Sequence, residues 1–160
     1  MWGLIILLIG HYVFDYLCQS REIAENKSTN YEALQDHVTT YIVGMSITAA
    51  IVFSFTWGSL TGILGGICFA VFVGLIHGAQ DWYIWRGYRY IVKERIIKFA
   101  LDQVGKEYNT VHSIKYVIEN KLKVFKDDKE YAEDKVFYDF IGLDALLHTI
   151  TIVLFYWWFV

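Results

Sequence analysis

The chain has 160 residues, 56% of them hydrophobic and 18% aromatic, with no proline, and its mean hydropathy is +0.35. That composition excludes an ordinary soluble domain, and the long apolar runs exclude a disordered chain. The formal net charge of −3 says less than the placement of the charges, which are segregated along the sequence.

A membrane-spanning helix needs about 20 mostly apolar residues. Four segments meet this: 2–19, 34–56, 59–85 and 137–160. The first opens on WGLIILLI directly after Met1, with no basic leader and with His11 and Asp15 where a signal peptide would stay apolar. It reads as a retained span rather than a cleavable one. Its second half, GHYVFDYLCQ, carries His11, Asp15 and Gln19 four residues apart, a spacing that puts them on one face of one helix. Arg21 and Lys27 follow it. The second span starts near DHVTTY, with His37 just inside one end.

The third span holds Gly58, Gly62, Gly66, Ala70, Gly74 and Gly78 at a period of four. Small residues at that spacing let helices approach closely in lipid. The stripe marks this helix as central to a bundle or as the contact of a homo-oligomer. The same span ends in HGAQD, with His77 and Asp81 at the helical spacing again. Residues 86–135 are charged, and YIVKERIIKFALDQV and VHSIKYVIENKLKVF within them read as two amphipathic helices. Such helices suit the membrane surface. With 12 basic and nine acidic residues there, nucleic-acid binding is not expected. His112 in that segment reads as solvated. The last span gives the spaced pair in reverse order, Asp144 and His148 in DALLH. Cys18 and Cys68 fall in predicted spans and read as small core hydrophobes, not a disulfide or a zinc pair.

The expected fold is therefore an all-α membrane protein: a four-helix bundle with an amphipathic helical insertion. Residues 1–85 supply spans one to three, 86–135 the insertion and 136–160 the fourth span, as one bundle domain. All 14 Lys and Arg residues lie after the first span or between the third and fourth. By the positive-inside rule both segments are cytoplasmic and both termini lie outside, as expected of a multi-pass protein of the inner, cytoplasmic membrane. Trp2, Trp57, Trp157 and Trp158 would mark the outer interface, and Trp82, Tyr83, Trp85, Tyr88 and Tyr90 the inner one.

This topology gives the reversed pair its meaning. Spans one and three run toward the cytoplasm and span four away from it, so in all three the Asp is nearer the cytoplasm and the His deeper. At a rise of about 1.5 Å per residue, His37 and these pairs lie roughly 5–16 Å inside the cytoplasmic boundary. A carboxylate facing lipid at a helix centre costs about 2.5–3.5 kcal/mol. The groups must therefore face one another, in a cavity expected to open to the cytosol. Imidazole and carboxylate donors projecting into a bundle suit a divalent metal, zinc first, with iron or manganese as other choices. His11, Asp15, His37, His77, Asp81 and His148 are the expected ligands. Asp144 would act as general base, with Gln19 and Lys27 at the mouth stabilising developing negative charge.

The motifs GHYVFDYLCQS, Lys27, DHVTTY, IHGAQDW and GLDALLH together resemble the pattern of a small integral-membrane family of bacteria and phages, filed as domain of unknown function 3307. The resemblance runs along nearly the whole chain, omitting most of the charged insertion. It implies the same set of positions, with a Gln after the Asp of the last helix where this sequence has Ala145. That amide's role is then lost here or taken by Gln80. The resemblance brings no reaction with it. Three function classes follow from the residues: a metal-dependent hydrolase acting on a lipid or membrane-associated substrate, a metal- or proton-handling membrane protein, and a non-catalytic membrane module docking a cytosolic partner.

Overall fold

A computed structural model describes residues 2–107 and 135–160, with side chains at 2–94 and 137–160. The second amphipathic helix expected at 111–125, and His112, lie outside the described residues. Among those described, every regular element is helical: α1 (Trp2–Tyr12), a π-helical turn (Val13–Leu17), α2 (Arg21–Asn26), α3 (Tyr31–Trp57), α4 (Ser59–Glu107) and α5 (Lys135–Phe159).

Each boundary has a local cause. The π-helical turn closes where Cys18 N–H donates to Val13 O at 2.9 Å, so the first helix ends at Leu17 and Gln19 lies in the bend beyond it. The expected unbroken face His11–Asp15–Gln19 thus loses its third member. Ser20 Oγ accepts Ile23 N–H at 3.2 Å and caps α2, and Asn30 Oδ1 accepts Glu32 N–H at 2.9 Å and caps α3, the two short polar residues that satisfy exposed amides at helix starts. Gly58 joins α3 to α4 with φ +87°, a left-handed conformation that favours glycine. It serves the turn and not the helical stripe. The span expected to stop at residue 85 continues unbroken to Glu107, taking in the first expected amphipathic helix.

The described chain forms two compact units, Met1–Tyr83 with Leu143–Val160, and Ile84–Gly142. In the first, Leu7, Met45, Phe53, Phe69, Val73 and Ile152 build an apolar core. Phe53 stacks on Phe159 with ring centroids 6.1 Å apart. The glycines of α4 meet α3: a Cβ at Gly62 would strike the Ser54 backbone, one at Gly66 the Ala50 backbone, and those at Gly74 and Gly78 the side chains of Ile42 and Val38. The stripe is thus filled by α3 of the same chain. In the second unit Tyr88 and Val92 are buried, with Trp85, Phe137 and Phe140 packed on them; Tyr88 is a core residue and not part of an interfacial belt.

Among the described residues, three helical stretches are long and apolar enough to cross a membrane: Tyr31–Trp57, Ser59–Glu94 and Phe137–Phe159. The apolar stretch Trp2–Leu17 is shorter than the others, about 24 Å at the helical rise. Only 33%, 33% and 22% of the three most apolar windows is buried, while Ile47, Leu60, Leu75 and Leu154 are each at least 60% exposed. Apolar residues outside and ionisable ones inside is the arrangement lipid demands. Cys18 and Cys68 are free and exposed, against their expected place in the core.

Candidate functional site

Every element of the first unit delivers a polar side chain to one place. His11 comes from α1, Asp15 from the π-helical turn, Lys27 from the end of α2, His37 from α3, His77 and Asp81 from α4, and Asp144 and His148 from α5. None of these eight is more than 6% exposed. The expected convergence is present, but the site is enclosed rather than an open cavity. Helical spacing brings His77 and Asp81 to one face, and the close α3–α4 packing over Gly74 and Gly78 brings that face to His37.

Four donor atoms make the tightest group. His37 Nε2 and His77 Nε2 are 2.9 Å apart. Asp15 Oδ1 lies 3.3 Å from the first and 3.4 Å from the second. Asp81 Oδ2 lies 3.1 and 3.3 Å from the same two nitrogens. Metal–donor bonds of about 2.0–2.1 Å in a tetrahedron require donor–donor edges of about 3.3 Å. Five edges of the group fall at 2.9–3.4 Å, which fits an ion at their centre. Asp15 Oδ1 and Asp81 Oδ2 are buried with no hydrogen-bond partner among the described residues, a costly state unless something coordinates them.

Lys27 stands beside this group and not at a mouth, correcting its expected place. Its Nζ lies 2.8 Å from Asp81 Oδ1, 3.6 Å from Asp15 Oδ1 and 3.5 Å from His37 Nε2. Burial pushes its pKa down, but Asp81 and then Asp15 more than offset this, and the net direction is up. The ammonium form is held. It leaves three buried carboxylates, Asp15, Asp81 and Asp144, against one buried ammonium, and a divalent cation would balance the remainder.

Of the four remaining predicted residues, His11, His148 and Asp144 join the cluster. His11 Nε2 lies 3.8 Å and His148 Nδ1 3.7 Å from Asp15 Oδ2. Asp144 Oδ1 lies 3.7 Å from His148 Nε2, and it groups with Asp81 and His148 as a donor in addition to its expected role as base. Gln80 does not enter this set: its Nε2 donates to Thr151 Oγ1 at 3.0 Å, tying α4 to α5. Gln19 is half-buried in its bend, with Oε1 buried and unpartnered.

Tyr41 belongs to the site and is absent from the residues expected there. Its hydroxyl is 3.1 Å from His11 Nδ1, and its ring stacks on His77 at 4.1 Å with the planes 7° apart. The signal was in DHVTTY: Tyr41 is four residues after His37 and shares its face. When His11 Nδ1–H donates to Tyr41, Nε2 is left with a free lone pair, the way a second hydrogen bond orients a metal-binding imidazole.

The family described as "Protein of unknown function (DUF3307)" matches residues 4–107, a stretch that contains His11, Asp15, Lys27, His37, Tyr41, His77 and Asp81 but not Asp144 or His148. No curated protein and no solved structure matches the chain.

Proposed function

The chain belongs to the DUF3307 family, which has no assigned activity, and from its own geometry we propose a divalent-metal-dependent membrane hydrolase acting on a lipid or membrane-associated substrate. The close grouping of donor atoms from Asp15, His37, His77 and Asp81 is the observation that carries this reading. Two imidazoles and two carboxylates suit zinc, with iron or manganese as other occupants. The chain lies in the inner membrane with four helices crossing it, both termini outside and the Lys- and Arg-rich segments cytoplasmic.

Metal held by these residues would supply Lewis acidity and lower the pKa of water. Lys27 holds Asp81 by its second oxygen and balances the carboxylates. Asp144, carrying a buried oxygen without a hydrogen-bond partner, accepts the proton that hydrolysis releases. Gln19, with its buried unpartnered oxygen, supplies an amide N–H for the substrate. The enclosure of the site supports a second reading, metal or proton handling, in which the 2.9 Å contact between His37 and His77 holds a shared proton.

The test is a panel of ester, amide and phosphodiester probes in phospholipid micelles, given to detergent-purified protein loaded with zinc or manganese. The hydrolase reading expects metal-dependent turnover, lost in His77→Ala and in Asp144→Asn. Metal binding with no turnover on any probe would favour the second reading.

A further inference from the structure

Asp15 joins two of the donor groups through its two carboxylate oxygens. Its Oδ1 meets His37 Nε2 and His77 Nε2 at 3.3 and 3.4 Å. Its Oδ2 meets His11 Nε2 and His148 Nδ1 at 3.8 and 3.7 Å. His37, His77 and Asp81 lie on one side of Asp15 and His11 and His148 on the other, and Asp144 groups with Asp81 and His148, one from each side. Both His148 ring nitrogens are buried without a hydrogen-bond partner, and the residue is 2% exposed. Among the described residues no group hydrogen-bonds that imidazole; its Nδ1 faces the Asp15 oxygen that the first set leaves unused and its Nε2 faces Asp144.

We infer that the site holds two divalent cations, bridged by the Asp15 carboxylate, with the second ion bound by His11, Asp15 Oδ2 and His148. This rests on the metal reading of the first group and assigns the number of ions and the part each plays. Two-metal hydrolytic centres keep their ions about 3.5–4 Å apart, a separation that one bridging carboxylate spans. The sets also differ in donor count. Four protein donors complete a tetrahedron and give a closed, structural position, whereas three leave a position for water or substrate. Hydrolysis needs the open one. The second ion is then the reactive ion, and Asp144, 3.7 Å from the outer nitrogen of His148, stands on its side of the bridge. Charge agrees: one divalent ion balances three carboxylates less one ammonium with nothing over, and a second requires an anion such as hydroxide or a substrate phosphoryl or carboxylate oxygen. The substrate or its attacking water is therefore anionic when it binds.

The experiment loads detergent-purified full-length chain with manganese, removes free ion, and reads metal per protein together with the electron paramagnetic resonance spectrum. The expected result is about two equivalents with an exchange-coupled spectrum, falling to about one uncoupled equivalent in His148→Ala and in His11→Ala. The wild-type spectrum alone tests the bridge, so a variant that fails to fold does not block the answer. One uncoupled equivalent in the wild type, unchanged in both variants, overturns the second ion and leaves the first group standing. Two uncoupled equivalents overturn the bridge. No bound manganese, and none after loading with zinc, overturns both readings at once.

Discussion

Lys27 shows how much depends on one residue. Its ammonium is 6% exposed and contacts Asp81 and Asp15, so removing it leaves buried carboxylates without a cation. Lys27→Met should destabilise the metal-free protein by about 3–5 kcal/mol, the usual cost of breaking a buried pair from one side. Zinc should recover part of this, because the ion takes over the charge balance. Thermal unfolding in detergent with and without zinc reads both effects, and an unchanged midpoint in the metal-free variant would remove Lys27 from the account. Tyr41 acts differently. Tyr41→Phe keeps the ring on His77 and loses only the hydroxyl facing His11, so the fold should persist while metal affinity drops about 10–100-fold. Competition against a chromophoric chelator measures it.

At the scale of elements, the long helices exist because of apolar length, α2 and α3 start at the short polar caps Ser20 and Asn30, and the site exists because α3 and α4 approach closely. Gly62 and Gly66 are where backbone meets backbone, and at Gly66 the Ala50 backbone is in the way of any side chain. Gly66→Val should cost at least about 3 kcal/mol, the upper end for overpacking, since backbone cannot rotate aside. Leu64→Val, on the exposed face at 57%, should stay within about 0.5 kcal/mol of wild type; matched losses would mean that the glycine face is not the packed one. The helical periods made most of this legible in advance. His11 with Asp15, His77 with Asp81 and Asp144 with His148 follow from spacing alone, and a charge that cannot face lipid must face another. Two features were not legible. The π-helical turn at Val13–Leu17 has no local signature in the sequence, and within it Phe14 lies against Gly44 of α3, a tertiary contact. Lys27 reads as a loop cation because nothing in its neighbourhood of sequence tells that α2 folds it inward. Tyr41 was legible, and only its aromatic character, usual in an apolar span, hid it.

For the whole molecule, apolar residues outside and ionisable ones inside suit a bundle in lipid, and the proposed topology puts the charged segments on one side of the membrane. In a background lacking Cys18 and Cys68, Ser59→Cys at the α3–α4 turn should react with an impermeant maleimide from outside intact cells. Lys93→Cys should react only after the membrane is opened; the reverse pattern would invert the topology. The claim on which the rest depends is that the buried His and Asp residues hold a metal. Elemental analysis of detergent-purified protein, wild type beside a His37→Ala/His77→Ala variant recovered in the same monodisperse form, tests it most directly. The account predicts a stoichiometric divalent metal in the wild type and its loss in the variant. A wild type that carries none, even after incubation with zinc, iron and manganese in turn, would contradict it.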